Sequence, residues 1–211
     1  MPRLDATVFV VDDDEAMRDS LHWLLESMEF RVATFASGEE FLAAYDPRQA
    51  GCLVLDVRMP GMSGLELHDR LNASGVILPI VFITGHGEVP MAVAALKKGA
   101  VDFIEKPFAE RDLLEIIERC LALDATRRRE HAERERAQHK LAALTPRERE
   151  VLDMVVAGRL NKIIADSLEI SIKTVEVHRA RVMEKLEARS VADLVQQVMV
   201  AQGGKLPPAP E

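Results

Sequence analysis

Short runs of consecutive apolar residues recur through the first half of the chain and alternate with stretches whose apolar residues are three or four positions apart. An uninterrupted run such as Val8 to Val11 is typical of a strand buried on both faces, as in a parallel sheet covered by helices. The helical spacing in the intervals predicts connecting helices, so this part is predicted to be an α/β domain with a doubly wound parallel sheet. The predicted strands cover residues 7–11, 31–35, 51–56, 79–84 and 101–104.

Capping residues mark several helix boundaries. Ser37 with Glu40, and Ser63 with Glu66, have the spacing of a capping box, in which side chains and backbone N–H groups bond reciprocally. Gly99 is expected to end the fourth helix, because glycine readily adopts the left-handed conformation that follows a helix. The remaining helices of this part are predicted at 15–28 and from 109 onward, which completes five βα units.

The segment 124–140 combines charges of both signs and contains neither proline nor glycine. It lacks an apolar stripe, so we predict a solvent-exposed helix that extends the fifth helix and serves as a linker. A new helix is predicted after it, with Thr145 as N-cap, Pro146 at the first position and Glu148 at the third. The predicted domains are therefore 1–123, the linker 124–140, a second domain at 141–203 and a disordered tail at 204–211.

Composition restricts the classes of protein to consider. The 211 residues are 48% apolar and 29% charged, which is ordinary for a globular protein, and no apolar stretch is long enough to span a membrane. The start of the chain has no apolar signal core, so a cytoplasmic protein is expected. Residues 1–123 have 11 Lys and Arg against 21 Asp and Glu, whereas 141–211 have 10 of each, so the C-terminal part is the better candidate for binding a polyanion.

Polar side chains follow four of the predicted strands at the point where each strand ends. Asp12 and Asp13 follow the first strand, Asp56 ends the third, Thr84 ends the fourth, and Lys106 follows the fifth. Because the carboxyl ends of parallel strands share one edge of a sheet, these side chains are expected to converge in one crevice. Carboxylates suit a dication such as Mg²⁺, while an amine and a hydroxyl suit a phosphoryl group. Asp56 stands between the two and is the predicted nucleophile.

Residues 7–121 resemble the receiver domain of two-component response regulators of the FixJ type, on the motifs VVDD, LDVRMPGMSG, ITGHG and DFIEKPF. The resemblance implies a flavodoxin-like five-stranded sheet and a phosphoryl group transferred to Asp56 from a histidine kinase. It also implies one Mg²⁺ per receiver domain, bound directly by Asp13, Asp56 and the backbone carbonyl of Arg58, and through water by Asp12.

The same resemblance implies a conformational switch. Lys106 would neutralise the new phosphoryl charge and the Thr84 hydroxyl would turn towards it, while Phe103 would move inward to fill the space that Thr84 leaves. Plain core packing is the alternative role for Phe103. The Lys106-Pro107 peptide bond is expected to be cis.

The second domain is predicted to contain four short helices, of which the middle pair forms a helix-turn-helix from Asn161 to Ala180. Ser171 is expected to cap the second helix of that pair, and Ala165 lies where the two helices can cross closely. The second helix has an apolar stripe that should face the core, formed by Val175, Val182 and Leu186. Its opposite face is basic and polar, which suits the major groove of DNA.

Residues 145–200 resemble LuxR-type DNA-binding domains. The resemblance implies phosphate contacts from basic side chains and base contacts from Glu176 and Val177. Some LuxR-type proteins have lysine where this sequence has Glu176, and a carboxylate in that position needs a donor such as the cytosine N4 amino group. The predicted DNA-binding residues are Lys162, Lys173, Thr174, Glu176, Val177, Arg179 and Arg181. The last helix would pair two copies through Leu194, Val195, Val198 and Met199.

The sequence thus predicts a response regulator that dimerises on phosphorylation and binds promoter DNA, with a histidine kinase and RNA polymerase as partners and no association with a membrane. It is not expected to be an enzyme. An alternative is a magnesium-dependent aspartyl phosphatase, although such enzymes have the nucleophile on the first strand, whereas Asp56 follows the third. A further alternative is a protein-interaction module, which the basic face of the helix-turn-helix disfavours.

Overall fold

The computed structural model describes residues 6–85 and 89–204. His86, a loop histidine to which the sequence assigns no function, and the predicted tail beyond residue 204 lie outside this range. The chain divides into two compact units with the boundary between Arg128 and Arg129, five residues beyond the predicted end of the first domain. No helix of the described residues is long and apolar enough to cross a membrane.

The first unit is an α/β fold with a parallel sheet. Its strands are β1 (Thr7–Val11), β2 (Arg31–Phe35), β3 (Gly51–Asp56), β4 (Ile80–Thr84) and β5 (Asp102–Glu105). They are ordered β2-β1-β3-β4-β5 and all pair in parallel, which confirms the predicted fold. Its helices are α1 (Glu15–Ser27), α2 (Gly38–Ala44), α3 (Gly64–Ala73), α4 (Val89–Lys97) and α5 (Glu110–Ala142), the last of which continues into the second unit.

The sheet is covered by an apolar cluster on each face, because successive side chains of a strand point to opposite faces. In β1, Phe9 and Val11 pack into one cluster, and Val8 and Val10 into the other. The central strands are therefore apolar throughout, as the uninterrupted runs in the sequence predicted. Only where a strand leaves the core can polar side chains be placed, and this is where the candidate site lies.

The helix starts largely follow the capping signals. Ser63 and Glu66 form the predicted capping box, each side chain accepting from the backbone of the other. Ser37 caps α2 by accepting from the Glu40 N–H, but the Glu40 carboxylate accepts from Ala36 N instead of completing the box with Ser37. The predicted capping box of Ser37 and Glu40 is therefore only half formed.

Helix α5 runs through the predicted linker, as expected for an extension of the fifth helix, and most of the segment is exposed, but its first residue is buried. Asp124 is almost fully buried and accepts a hydrogen bond from the backbone N–H of Gly51, the first residue of β3. The Arg128 Nε donates to both oxygens of Asp124, at 3.0 and 2.8 Å, and the Nη atoms of the same side chain donate to the carbonyls of Pro47 and Gln49. A buried ion pair has no apolar periodicity, so the sequence pattern did not reveal it.

The second unit is all-helical, with α6 (Pro146–Val156), α7 (Asn161–Ser167), α8 (Ile172–Lys185) and α9 (Val191–Ala201). The C-terminal part of α5 also belongs to it, because Ala137 and Leu141 are buried in its core. The predicted inward stripe of α8 is buried there too, at Val175, Val182 and Leu186. Thr145 and Glu148 form the predicted capping box at the start of α6, with Pro146 in the first turn.

Candidate functional site

Three of the residues predicted at the strand ends meet in one place. The Lys106 ammonium donates to Asp56 Oδ1 at 2.7 Å and to Asp12 Oδ2 at 3.0 Å. Strands β1 and β3 are neighbours, which brings the two carboxylates to the same edge of the sheet. The Lys106-Pro107 peptide bond is cis, as predicted. A cation thus bridges two carboxylates at the carboxyl edge of the sheet.

Asp56 is held in a single orientation. Its Oδ2 accepts from the backbone N–H of Arg58 at 2.7 Å, while its Oδ1 accepts from Lys106. Burial raises the pKa of Asp56, and the lowering by Lys106 does not fully offset it. Burial also lowers the pKa of Lys106, but the hydrogen bonds from its ammonium to Asp56 and Asp12 outweigh it, so that its net pKa is raised. The ammonium is therefore placed beside the carboxylate that the sequence predicts to be the nucleophile.

The predicted metal ligands differ in their exposure. Asp12 is 2% exposed, whereas Asp13 is exposed to solvent. Among the described residues, no group of three or more His, Cys, Asp or Glu side chains is arranged to hold a metal ion. Mg²⁺ needs fewer, because it usually takes one or two carboxylates and keeps several waters. The converging carboxylates of Asp12 and Asp56, with Asp13 next to them in the chain, fit that requirement.

The two predicted switch residues are buried to different degrees. Thr84 is fully buried at the end of β4, and its hydroxyl donates to the Ile104 carbonyl at 3.4 Å, a long hydrogen bond. Phe103 is half-buried and packs against the apolar cluster that contains Phe82.

Two residues that the sequence did not single out support the loops of this site. Arg18, on α1, donates from Nη1 to the backbone carbonyl of Asp12 at 2.7 Å. Glu39, on α2, accepts from the backbone N–H of Met62 at 3.1 Å and so holds the loop that follows Asp56. Both are charged residues on helix surfaces, and nothing in the sequence separates them from other solvated charges.

An apolar groove of about 470 Å³ lies beside Lys106 in the first unit. It is lined by one side of α1 and by the segment that follows β5, including Met17, Leu24, Pro107 and Phe108. On the same helix, the Trp23 side chain is 72% exposed. The groove is thus an apolar surface that includes Lys106 of the carboxylate–lysine cluster.

The predicted DNA-binding face lies on α8 in the second unit. Lys173, Glu176, Val177 and Arg181 are exposed, as is Lys162 on α7. Ser171 caps α8 as predicted, and its hydroxyl also bonds to the Thr174 hydroxyl at 2.8 Å. Arg179 donates to Asn161 Oδ1 at 2.8 Å, so it joins α8 to the start of α7. Thr174 and Arg179 thus have structural partners in addition to any role towards DNA.

The predicted dimerisation residues do not all face outward. Leu194 and Val198 are 2% and 1% exposed and belong to the core of their own unit. They pack the core of their own unit and offer almost no surface to a second copy, and their role in a dimer interface stays a prediction. Val195 and Met199 are half-buried and lie on a different side of α9, near the exposed Val191. An apolar stripe remains partly exposed on α9, and it contains two of the four predicted residues, Val195 and Met199, together with Val191.

An α/β unit with a carboxylate–lysine cluster at its sheet edge, joined to a helix-turn-helix unit, defines the class of phosphorylation-controlled DNA-binding regulators. Family comparisons agree with this class. The response regulator receiver domain matches residues 8–118, and the bacterial regulatory proteins of the luxR family match residues 142–198.

Individual relatives match nearly the whole chain. It is 45% identical to the transcriptional regulatory protein FixJ of Bradyrhizobium diazoefficiens, over 92% of this chain and 95% of that protein. Identity to FixJ of Rhizobium meliloti is 46%, over 95% of this chain and 98% of that protein. The solved structure of the response regulator StyR matches with a TM-score of 0.83 at 48% identity, covering 92% of this chain and 98% of that one.

The chain belongs to the two-component response regulators of the FixJ type, with a receiver domain and a LuxR-type DNA-binding domain. This confirms the resemblance that the sequence motifs indicated. It also excludes the aspartyl phosphatase and the protein-interaction module as alternatives, since members of this family regulate transcription and are not enzymes.

Proposed function

We propose that Asp56 accepts a phosphoryl group from a histidine kinase. The observation that supports this most directly is the Lys106 ammonium, which lies 2.7 Å from Asp56 Oδ1 and 3.0 Å from Asp12 Oδ2. A phosphoryl group adds almost two negative charges, and this ammonium is placed to neutralise part of them. Attack by an Asp56 oxygen on phosphorus would form an acyl phosphate and break the bond to the donor histidine nitrogen.

Receiver domains typically bind Mg²⁺, and we propose that Asp12, Asp13, Asp56 and the Arg58 carbonyl hold one ion here. When bound, the ion would offset negative charge on the phosphoryl oxygens. The chain itself orders two of the ligands: Arg58 N fixes one oxygen of Asp56, and Asp14 N donates to Asp12 Oδ1 at 2.9 Å. The domain bounds proposed for these functions are 1–123 and 141–203, with the linker between them.

The kinase is proposed to dock on the apolar groove beside Lys106. A phosphohistidine must come within bonding distance of Asp56, so the kinase has to cover the carboxyl edge of the sheet. Met17 and Phe108 line the groove, and Trp23 adds an exposed aromatic surface on the same helix. Exposed aromatic residues near such a site are typical of the residues that dominate protein interfaces.

Phosphorylation is proposed to shift a two-state equilibrium of the first unit. The Thr84 hydroxyl would leave the Ile104 carbonyl for a phosphoryl oxygen, and Phe103 would turn inward. The shifted state is proposed to form a homodimer. In the second unit, the partly exposed stripe of Val191, Val195 and Met199 on α9 is the surface proposed to pair two copies on DNA.

The second unit is proposed to bind double-stranded promoter DNA and to regulate transcription together with RNA polymerase. Lys162, Lys173, Arg179 and Arg181 would contact phosphates, whereas Glu176 and Val177 would contact base edges. Thr174 would stabilise the first turn of α8 through Ser171. Because promoters are in the cytoplasm of a bacterium, the proposal includes a cytoplasmic location.

Phosphorylation of Asp56 is tested with acetyl phosphate and Mg²⁺ on the full chain. Intact-mass spectrometry should show one added phosphoryl group on the wild type and none on Asp56→Asn, and peptide mapping should place it at Asp56. Asp19→Asn is the matched control, because it removes an exposed carboxylate on α1 and leaves both the acceptor and the proposed metal ligands in place. Labelling of Asp56→Asn at the wild-type level would contradict the assignment of the acceptor.

A further inference from the structure

The DNA-facing side of α8 presents two apolar side chains that a solvated surface does not need. Ile172, its first residue, is 47% exposed, and Val177 is 44% exposed. Both lie on the unit that bears the exposed basic side chains of Lys162, Lys173 and Arg181. A partner that is anionic overall and also offers apolar groups would complement both the basic and the apolar side chains of this surface.

The first turn of α8 holds Ile172 in place. The Ser171 hydroxyl accepts from Thr174 N at 3.1 Å and bonds to the Thr174 hydroxyl at 2.8 Å. The Thr174 side chain is therefore engaged in capping the helix. The residues of this turn that remain to contact a ligand are Ile172 and Lys173. In helix-turn-helix proteins, the N-terminal residues of the second helix contact base edges in the major groove.

Glu176 lies between the two apolar side chains. It is four positions after Ile172, so the two are neighbours on the helix surface, and it directly precedes Val177. Within the part of the chain that the structure describes, the Glu176 carboxylate has no hydrogen-bond or ion-pair partner. Near phosphates it needs a donor, and the exocyclic amino groups of cytosine and adenine are the donors in the major groove.

The alkyl group that base edges present in the major groove is the 5-methyl group of thymine, which only A·T pairs carry. We propose that Ile172 and Val177 each contact the methyl group of a different thymine, and that these two thymines flank the base whose amino group Glu176 accepts from. This inference rests on the proposed DNA-binding function and specifies the chemistry of the site. Five residues of helix rise about 7.5 Å, which is comparable to two base-pair steps of about 3.4 Å.

The test removes one methyl group at a time. Phosphorylated full-length protein first selects binding sites from a pool of random duplexes. In the best site, each thymine is then replaced singly by deoxyuridine, which pairs identically but lacks the methyl group, and binding is measured for the wild type and for Ile172→Ala and Val177→Ala. At two thymines the wild type should bind about fourfold more weakly without the methyl group, as expected for one buried carbon. Ile172→Ala should be insensitive at one of these positions and Val177→Ala at the other.

Ile163→Ala is the matched control, because Ile163 is an equally exposed residue, at 44%, on α7. It should keep the wild-type sensitivity at both thymines. All three side chains are on the surface, so these substitutions leave the core intact. If removal of a methyl group weakens binding equally for the wild type and both variants, the inference is overturned, but the proposed DNA-binding function is not. A selection that enriches no sequence would overturn the proposed DNA-binding function itself.

Discussion

Glu148 should stabilise the second unit more than any surface charge on α6. Its side chain is only 3% exposed, yet it is ionised. Glu148 Oε2 accepts from Lys185 Nζ at 2.6 Å and from Thr145 N at 2.9 Å. The hydrogen bond from Lys185 is the largest cause that lowers the pKa of Glu148 from 4.5 to about 2, with the Thr145 N–H next. Glu148→Gln keeps the shape of the side chain and removes its charge.

The lowered pKa gives the sign and the size of the effect. A carboxyl group whose pKa is lower in the folded state stabilises that state fully above its unfolded pKa, and the stabilisation is lost as the pH falls through the folded pKa. The fall from 4.5 to about 2 corresponds to about 3 kcal/mol at pH 7. Because the Lys185 side chain is partly exposed, we expect screening to reduce this to about 2 kcal/mol. At pH 3 the difference between wild type and variant should be less than half of that at pH 7.

Hydrogen exchange measured by mass spectrometry can follow this unit alone. The single tryptophan and the single tyrosine, Trp23 and Tyr45, are both in the first unit, so fluorescence would not report on the second. Peptides that contain the buried residues Leu152 and Val182 should exchange about 30-fold faster in Glu148→Gln at pH 7, the factor that corresponds to about 2 kcal/mol.

Glu150→Gln is the control, since Glu150 pairs with Arg147 at 2.7 Å on the exposed side of the same helix. Its loss should change the free energy of unfolding by less than about 0.5 kcal/mol. Strand β3 of the first unit should exchange at the wild-type rate in both variants. If Glu148→Gln has no larger effect than Glu150→Gln, or the same effect at pH 3 and pH 7, the argument from the lowered pKa is refuted.

Four other substitutions test other parts of the chain. Thr84→Ala should still accept phosphate but fail to dimerise in sedimentation velocity; normal dimerisation would argue against the switch. Val195→Glu should leave phosphorylation unchanged and weaken cooperative binding to paired half-sites, and unchanged cooperativity would place the interface elsewhere. Arg128→Ala leaves Asp124 buried without its cation, so the free energy of unfolding of the first unit, measured with denaturant, should fall by about 3 kcal/mol. A fall of less than about 1 kcal/mol would mean that water replaces the cation. Arg179→Ala should lower the salt dependence of DNA binding by about one phosphate contact on every sequence, and an unchanged slope would leave it only its bond to Asn161.

The fold of the first unit could be predicted because its strands are buried on both faces. That condition requires unbroken apolar runs, and such runs are visible in one sequence without knowledge of the neighbours. The bounds of β1, β2 and β3 agree with the prediction, while β4 and β5 begin one residue later than predicted, at Ile80 and Asp102. The convergence of Asp12, Asp56 and Lys106 followed from the same reasoning, because parallel strands end at a common edge.

The supporting contacts of the site could not be predicted in this way. Arg18 and Glu39 act through long side chains that reach backbone groups of distant loops. Whether such a side chain reaches a backbone group or remains in water depends on a few ångströms of loop placement, which the pattern of apolar residues does not determine. The Asp124 and Arg128 pair was missed for a related reason: a buried ion pair looks like any two surface charges four residues apart.

The last helix shows why apolar content alone cannot assign an interface. Helix α9 is apolar on more than one side, so the sequence offers two stripes and no means of choosing between them. The structure places Leu194, Val198 and Ala201 in the core. Val191, Val195 and Met199 follow one another at four-residue spacing on another side, which keeps them adjacent on the helix surface. A helix with only one apolar stripe would be fully used in covering its own core, so the second stripe is the part of α9 that a partner could bury.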